Sequence, residues 1–408
     1  MAITIFENAA VIDTDAGTIL QDHHVAIDGA RIAEVSPGPI AAADARRIDL
    51  RGQTLMPGLI DAHVHVTACT ANFTELQRMS PFYVSAAAGQ IMGAMLDRGF
   101  TTVRDVGGGE FGLARAQAEG LLRGPRLIYG GKAISPTGGH GDVRPMGVDR
   151  HDDAYNQPGL GTIVDGVSEL RRRAREEIRR GAHHIKIMGN GGISSPTDRI
   201  TSDQFSLEEI AAAVEEAEMA NLYVVVHAYT ARSIKRAVAQ GVRSVEHGNL
   251  ADQEAIDLMK VRDAWLVPTL ATYHALRDEG VAAGLPAELS GQIGDVLDAG
   301  INAVEMAYRA GVPMAYGTDL LGAMQRRQCS EFTLRAEVVP PADLVRAATI
   351  NGARLMRLEH EIGQIKPGYH ADLIVVDGNP LDDITCLASP QVNLRLVMQH
   401  GRIVSGRV

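Results

Sequence analysis

At 408 residues the chain is too long for one small core but suits a single large α/β barrel with an appendage. Hydrophobic residues make up 45%, charged residues 22% and aromatics 4%, with 43 glycines, which describes a soluble, turn-rich globular protein and excludes disorder. A formal charge of −11, with no basic run longer than Arg171-Arg-Arg173, excludes a nucleic-acid or anionic-membrane partner.

Residues 1–55 carry short β patterns with turn signals, at Ile3 to Ile5, His24 to Ile27 and Ile32 to Val35. No basic region followed by a long apolar core opens the chain, so no secretory leader is expected. No stretch reaches about 18 uncharged apolar residues, so no membrane span is expected either. Cys69, Cys329 and Cys386 are widely separated, forming neither a disulfide framework nor a thiolate zinc motif, and a reducing, cytoplasmic setting fits them.

From residue 56 to 358, β-branched or apolar runs alternate with helical patterns, the signature of βα units and a parallel sheet. Eight runs are expected as strands: Leu59 to Val66, Phe100 to Val106, Pro125 to Gly131, His183 to Met188, Tyr223 to Tyr229, Ser244 to Gly248, Trp265 to Leu270 and Pro313 to Asp319. Among the helices, Ser206 to Ala220 opens with a capping box, Ser206 followed by Glu209. The arginine triplet lies in a segment of alternating charge and reads as a solvated helix face. Residues 359–408 return to β patterns, at Ala371 to Val376, Leu394 to Met398 and Ile403 to Val404. Each end alone offers little core. The expected architecture is therefore a (β/α)8 TIM barrel over 56–358, inserted into a small β-sandwich formed by both termini, 1–55 and 359–408.

Catalytic residues of such a barrel sit at the C-terminal ends of its strands. His63 and His65 end the first run and, at i and i+2, share one strand face. His227, His247 and Asp319 end the fifth, sixth and eighth runs, and Lys186 lies near the end of the fourth. One polar strand end could be an inert core residue, but five converging on one mouth form a nitrogen and oxygen donor set. Zinc fits it best, with Mn, Fe or Co as alternatives. Carboxylation of Lys186 by CO2 would turn a repelling cation into an anionic ligand bridging two divalent ions. A bridging hydroxide would attack, with Asp319 accepting its proton and passing it to the leaving amine.

In the glycine-rich loop Ser135 to Asp142, His140 is the candidate donor to the developing oxyanion. Tyr229 is a candidate contact for a substrate carboxylate, and Arg144 and Arg199 are the nearby loop arginines that could pair with it. His183 is out of phase with Lys186, and His184 is in phase but lower in the barrel. His23, His24, His151, His274, His360, His370 and His400 lack strand-end placement and read as structural or surface residues.

The set His63-Val-His65, Lys186, His227, His247 and Gly317-Thr-Asp319, with Leu55 to Asp61 and Gly363 to Leu373, resembles the amidohydrolase superfamily in its binuclear, carboxylated-lysine form. Within it, Phe100 to Gly107, Ser135 to Gly141 and Val226 to Tyr229 look like the zinc peptidase branch, which includes Xaa-Pro dipeptidase-like and carboxypeptidase-like members. The similarity extends to hydrolases that cleave ochratoxin A. The resemblance implies two divalent metal ions, a carbamate on Lys186 and a homo-oligomer, often an octamer. It implies hydrolysis of the amide bond to a C-terminal amino acid in small dipeptides or N-acyl amino acids. The rival is a cyclic amide hydrolase or deaminase of the imidazolonepropionase kind, whose relatives lack the strand-four lysine; Lys186 weighs against it.

Overall fold

The computed structural model describes residues 3–144 and 157–406; His151 lies outside them. The chain divides into two compact units, one made of the residues up to Asp61, Gly93–Thr102 and those from Cys329 onward, the other of Ala62–Met92 and Val103–Gln328.

The first unit contains strands β1 (Thr4–Asp13), β2 (Thr18–Asp28), β3 (Arg31–Ser36), β4 (Arg46–Asp49) and β5 (Thr54–Pro57). The intervening chain supplies β6 (Leu59–Val64), β7 (Phe100–Asp105), β8 (Arg126–Tyr129), β9 (Ala133–Ser135), β10 (Gly161–Ile163), β11 (Ile185–Met188), β12 (Val224–Thr230), β13 (Ser244–Leu250) and β14 (Trp265–Val267). Near the end come β15 (Leu373–Val376), β16 (Leu394–Gln399) and β17 (Arg402–Gly406). The outer strands join in one eight-stranded sheet of order β17-β16-β15-β5-β1-β2-β3, with β4 beside β1. The two ends of the sequence meet where β15 runs antiparallel to β5, pairing Leu373 with Pro57 and Val375 with Leu55. Alternate residues Phe6, Val11, Val25, Ile27, Leu55, Leu373, Val375 and Leu396 form its buried cluster, the period of two that a one-faced sheet requires.

Apart from the first three residues of β6 and of β7, which fall in the first unit, the second unit carries the parallel strands of a TIM-barrel-like α/β fold. They form a three-stranded sheet, β6-β7-β8, and a six-stranded sheet, β10-β9-β11-β12-β13-β14. Val224 to Val226 are buried on both faces, as β-branched residues in a helix-covered parallel sheet should be. Strands β9 and β10 are additional to the expected eight. They are three residues each, β9 leading into the loop Ser135 to Asp142 and β10 lying further on, too short to register as apolar runs.

Several expected strands are shorter than their apolar runs, and two of them for reasons that bear on the site. The run from Trp265 leaves the ladder after Val267 because Pro268 has no N–H to donate, and Leu270 begins a helix instead. The run from Pro313 to Asp319 pairs as a single bridge, Met314 with Leu266. Beyond it the chain hydrogen-bonds to β6, Ala62 N to Tyr316 O at 2.7 Å and Asp319 N to His63 O at 2.9 Å.

The helix after Ser206 spans Leu207–Met219, with Ser206 Oγ and the Glu209 side chain forming the expected reciprocal cap. The arginine triplet lies on the helix Val167–Arg179, but the solvated-face reading fails at Arg173. Arg173 shares the buried face with Leu170 and Ala174 and pairs with Glu177 one turn on at 2.6 Å. Charge alternation alone does not distinguish that stripe from Arg172, which is exposed. No helix among the described residues is long and apolar enough to cross a membrane.

Candidate active site

Eight of the residues singled out from sequence, His63, His65, His140, Lys186, His227, Tyr229, His247 and Asp319, line one cavity in the second unit. Strands β6, β11, β12 and β13 present the ligand candidates in register. Lys186 lies opposite Val225, and His227 opposite both Met188 and Glu246.

Three donor groups, from His63, His65 and Asp319, lie within 4.8 Å of one another. His63 Nε2 is 3.4 Å and His65 Nε2 3.1 Å from Asp319 Oδ1. Each histidine spends its other nitrogen elsewhere. His63 Nδ1 meets Glu246 Oε2 at 2.6 Å, and His65 Nδ1 meets the Gly107 carbonyl at 2.8 Å. A carboxylate and a carbonyl only accept, so both Nδ1 atoms carry a proton, and both rings turn Nε2 toward the Asp319 carboxylate. Two imidazole nitrogens and a carboxylate oxygen gathered this closely are donor types a divalent metal takes, so the residues fit one. His247 Nδ1 is 4.0 Å from Asp319 Oδ2 and 2.8 Å from Thr269 Oγ1. The His227 ring packs 4.6 Å from that of His247.

Electrostatics follow from burial. Burial alone would raise the Asp319 carboxyl, but His63 and His65 hold it well below the usual carboxylate range. Burial pulls the His227 and His247 rings well below the ordinary histidine value. It also pulls the Lys186 ammonium down to about 8, against the opposing pull of Glu246 and Asp319. The Tyr229 hydroxyl is pushed up by burial and stays a proton donor.

The backbone at two of these positions is unusual. His247 has φ 75° and Asp319 φ 51°, both in the left-handed region that side chains rarely adopt. In a regular strand Glu246 and His247 would face opposite ways. The turn at His247 lets both point inward, Glu246 to His63 and His247 to Asp319.

Sequence reasoning missed the layer beneath. Arg104, fully buried on β7, donates from Nη2 to Glu246 Oε1 at 2.8 Å and from Nε to the Ala62 carbonyl at 2.6 Å. Ser244 donates to the same Glu246 oxygen at 2.5 Å. Burial opposes ionisation of Glu246, but Arg104 and His63 hold its carboxyl far below the usual range. The signal lay in Ser244 and Glu246 at i and i+2, ahead of a histidine. Tyr273, on the helix Leu270–Glu279, also lines the cavity, its ring 6.0 Å from Tyr229.

Neither arginine proposed for a substrate carboxylate lines the cavity. Arg144 is held by Asp142 through two hydrogen bonds of 2.7 and 2.6 Å, and Arg199 is exposed. His184 is fully buried beside Tyr223, their rings stacked 5.8 Å apart. His183 packs against Tyr129, ring centroids 4.9 Å apart.

A TIM-barrel-like α/β fold with histidines and a carboxylate gathered at its strand ends is the architecture of a barrel enzyme whose chemistry sits at that mouth. The chain belongs to the amidohydrolase family, which matches residues 54–404, and is a hydrolase acting on amide bonds. It is similar to the ochratoxinase of Aspergillus niger, 32% identical over 370 residues that cover 87% of this chain and 76% of that protein. The solved structure of a prolidase complexed with N-methylphosphonate-L-proline is 44% identical, with a TM-score of 0.97 over 100% of both chains. That of a Xaa-Pro dipeptidase with methionine bound in its active site is 31% identical, with a TM-score of 0.88 over 99% of this chain and 100% of that one.

Proposed function

We propose that the chain removes a C-terminal amino acid from dipeptides or N-acyl amino acids by metal-dependent hydrolysis, with ochratoxin A as one candidate N-acyl phenylalanine. The observation that carries this reading is the convergence of the His63 and His65 Nε2 atoms on Asp319 inside a cavity that also holds His227, His247 and Lys186. Those six side chains would hold two divalent ions, zinc fitting the donors best. Lys186 would join as a carbamate. CO2 reacts with the neutral amine, and a pKa of about 8 leaves Lys186 far more of that form than an exposed lysine has. Bound ions would supply an activated water and polarise the scissile carbonyl.

The chain's own residues do the rest. Asp319, ionised and beside the histidine pair, is placed to take a proton at its carboxylate and return it to the leaving amine. Tyr229, kept protonated, can donate to the free carboxylate of the substrate. The walls contributed by Phe73, Met188, Ile193, Leu276 and Leu321 favour an apolar or aromatic side chain and exclude water around it. The same reading takes the parallel strands as a closed eight-membered ring. It is supported by the backbone hydrogen bonds by which the segment 313–319 touches both β14 and β6.

The test is release of free amino acid from N-acyl amino acids, Xaa-Pro and other dipeptides, and ochratoxin A, by zinc-loaded and chelated protein. Zinc-dependent release of the C-terminal residue is the expected result. No release from any of them would direct attention to cyclic amides and deamination.

A further inference from the structure

The loop between β11 and the helix Leu207–Met219 is more rigidly built than a connection needs to be. Asn190 bridges Asp203, Gly191 N donates to the Ser202 carbonyl at 3.0 Å and Gln204 N to that of Gly189 at 2.8 Å. The Asn190 side chain is itself committed, its Nδ2 to the Ile200 carbonyl at 2.5 Å and its Oδ1 to the Tyr229 N–H at 2.8 Å. This clamped loop delivers Ser195 and Asp198 to His140.

Two links run from Asp198 to His140. In the first, His140 Nδ1 lies 3.1 Å from Ser195 Oγ, and Ser195 Oγ contacts Asp198 Oδ1. In the second, Gln204 Nε2 donates to Asp198 Oδ2 at 2.8 Å while its Oε1 accepts from the His140 backbone N–H at 3.1 Å. Ser195 is 1% exposed, and its other two partners, the Asp198 carboxylate and the Gly192 carbonyl at 3.2 Å, only accept. A hydroxyl has one proton, and it is spent on one of them. Ser195 Oγ must then accept from His140, which puts the imidazole proton on Nδ1 and leaves Nε2 an acceptor toward the cavity, so that donation to an oxyanion, the role expected of His140 from sequence, would require the ring to take up a second proton. Gly192 completes the seat: a Cβ there would lie 2.0 Å from His140 Cε1, so only glycine lets the ring lie flat against the loop. The opposite face packs on His227, ring centroids 4.4 Å apart and planes 30° from parallel.

We propose that Ser195 and Asp198 are the positioning residues of His140, fixing its tautomer and ring orientation so that the Nε2 lone pair, an acceptor for a substrate N–H, faces the substrate. The proposal rests on the reading above that this cavity receives the scissile amide. Neither residue is a candidate metal ligand, so their effect on turnover should pass through His140 alone.

The test combines spectroscopy with kinetics on the full-length, zinc-loaded protein. A long-range proton–nitrogen correlation spectrum should give His140 as the Nδ1–H tautomer in the wild type and a mixture in Asp198→Asn. Against the best substrate of the panel, Ser195→Ala and Asp198→Asn should each lower kcat about 10–100-fold with zinc content unchanged, and Ser195→Thr should restore most of it. In a His140→Asn background, Ser195→Ala should cost nothing further, since partners acting as one unit are not additive. An Nε2–H tautomer in the wild type, or a full additional loss in the double variant, would overturn the proposal. The tautomer is read without substrate, so failure of the whole panel would count against the proposed reaction and leave this assignment standing.

Discussion

Glu246 has no place in the chemistry, yet it sets the state of a residue that does. Its two oxygens are divided, one to His63 and the other to Arg104 and Ser244, so the ring that faces Asp319 is held in one tautomer by a carboxylate that Arg104 keeps charged. Glu246→Gln keeps the shape and loses the charge. It should weaken zinc binding about 10–100-fold, measured by competition with a chromogenic chelator. Truncation to alanine strands a buried guanidinium and should cost about 3–5 kcal/mol in urea unfolding. Asp319→Asn is expected to abolish turnover while metal analysis still finds zinc, because His63, His65, His227 and His247 remain; persistent activity would remove Asp319 from the proton-transfer role. His63 and His65 were legible in the sequence because both end an apolar run in phase. Glu246 was not, since strand alternation turns it away from His247, and only the left-handed backbone at His247 brings both to one side.

Among the elements, the helix pair Val167–Arg179 and Leu207–Met219 is joined by Glu216, which accepts from Arg175 at two 2.8 Å contacts and from Arg171 at 2.9 Å. Arg175 lowers its carboxyl pKa most; burial opposes this and Arg171 reinforces it. A folded value below the unfolded one means stability that is present above the ordinary glutamate pKa of about 4.3 and lost as pH falls through the folded value. Glu216→Gln should therefore destabilise by on the order of 1 kcal/mol at pH 7. The gap from wild type should close as unfolding is followed down to acid pH; a constant gap would argue for lost packing instead. The second of these helices was readable to its first residue because Ser206 and Glu209 state a cap locally. The Pro313 to Asp319 run was readable as buried but not as an interrupted strand, because its pairing is decided by β6 and β14, both remote in sequence.

For the whole molecule, a metal that binds the donors at the mouth only when the chain is folded should be felt as stability. Zinc at about 100 times its Kd adds about 2.7 kcal/mol to the folded state. Thermal unfolding should accordingly shift upward with zinc and downward with chelator, and an unchanged midpoint would count against a metal centre built from these side chains. The parallel strands and the β character of both ends were visible as periodicity. That the ends share one sheet is a long-range fact, set by β15 against β5. On the ribosome this pairing has a cost in time. Strand β5 has emerged roughly 300 residues before its neighbour exists, an interval of some 15–60 s at about 5–20 residues per second. Through that interval the nascent chain carries an open edge of hydrogen-bonding groups, and whatever shields it during synthesis acts while the whole catalytic mouth, His63 to Asp319, is being made.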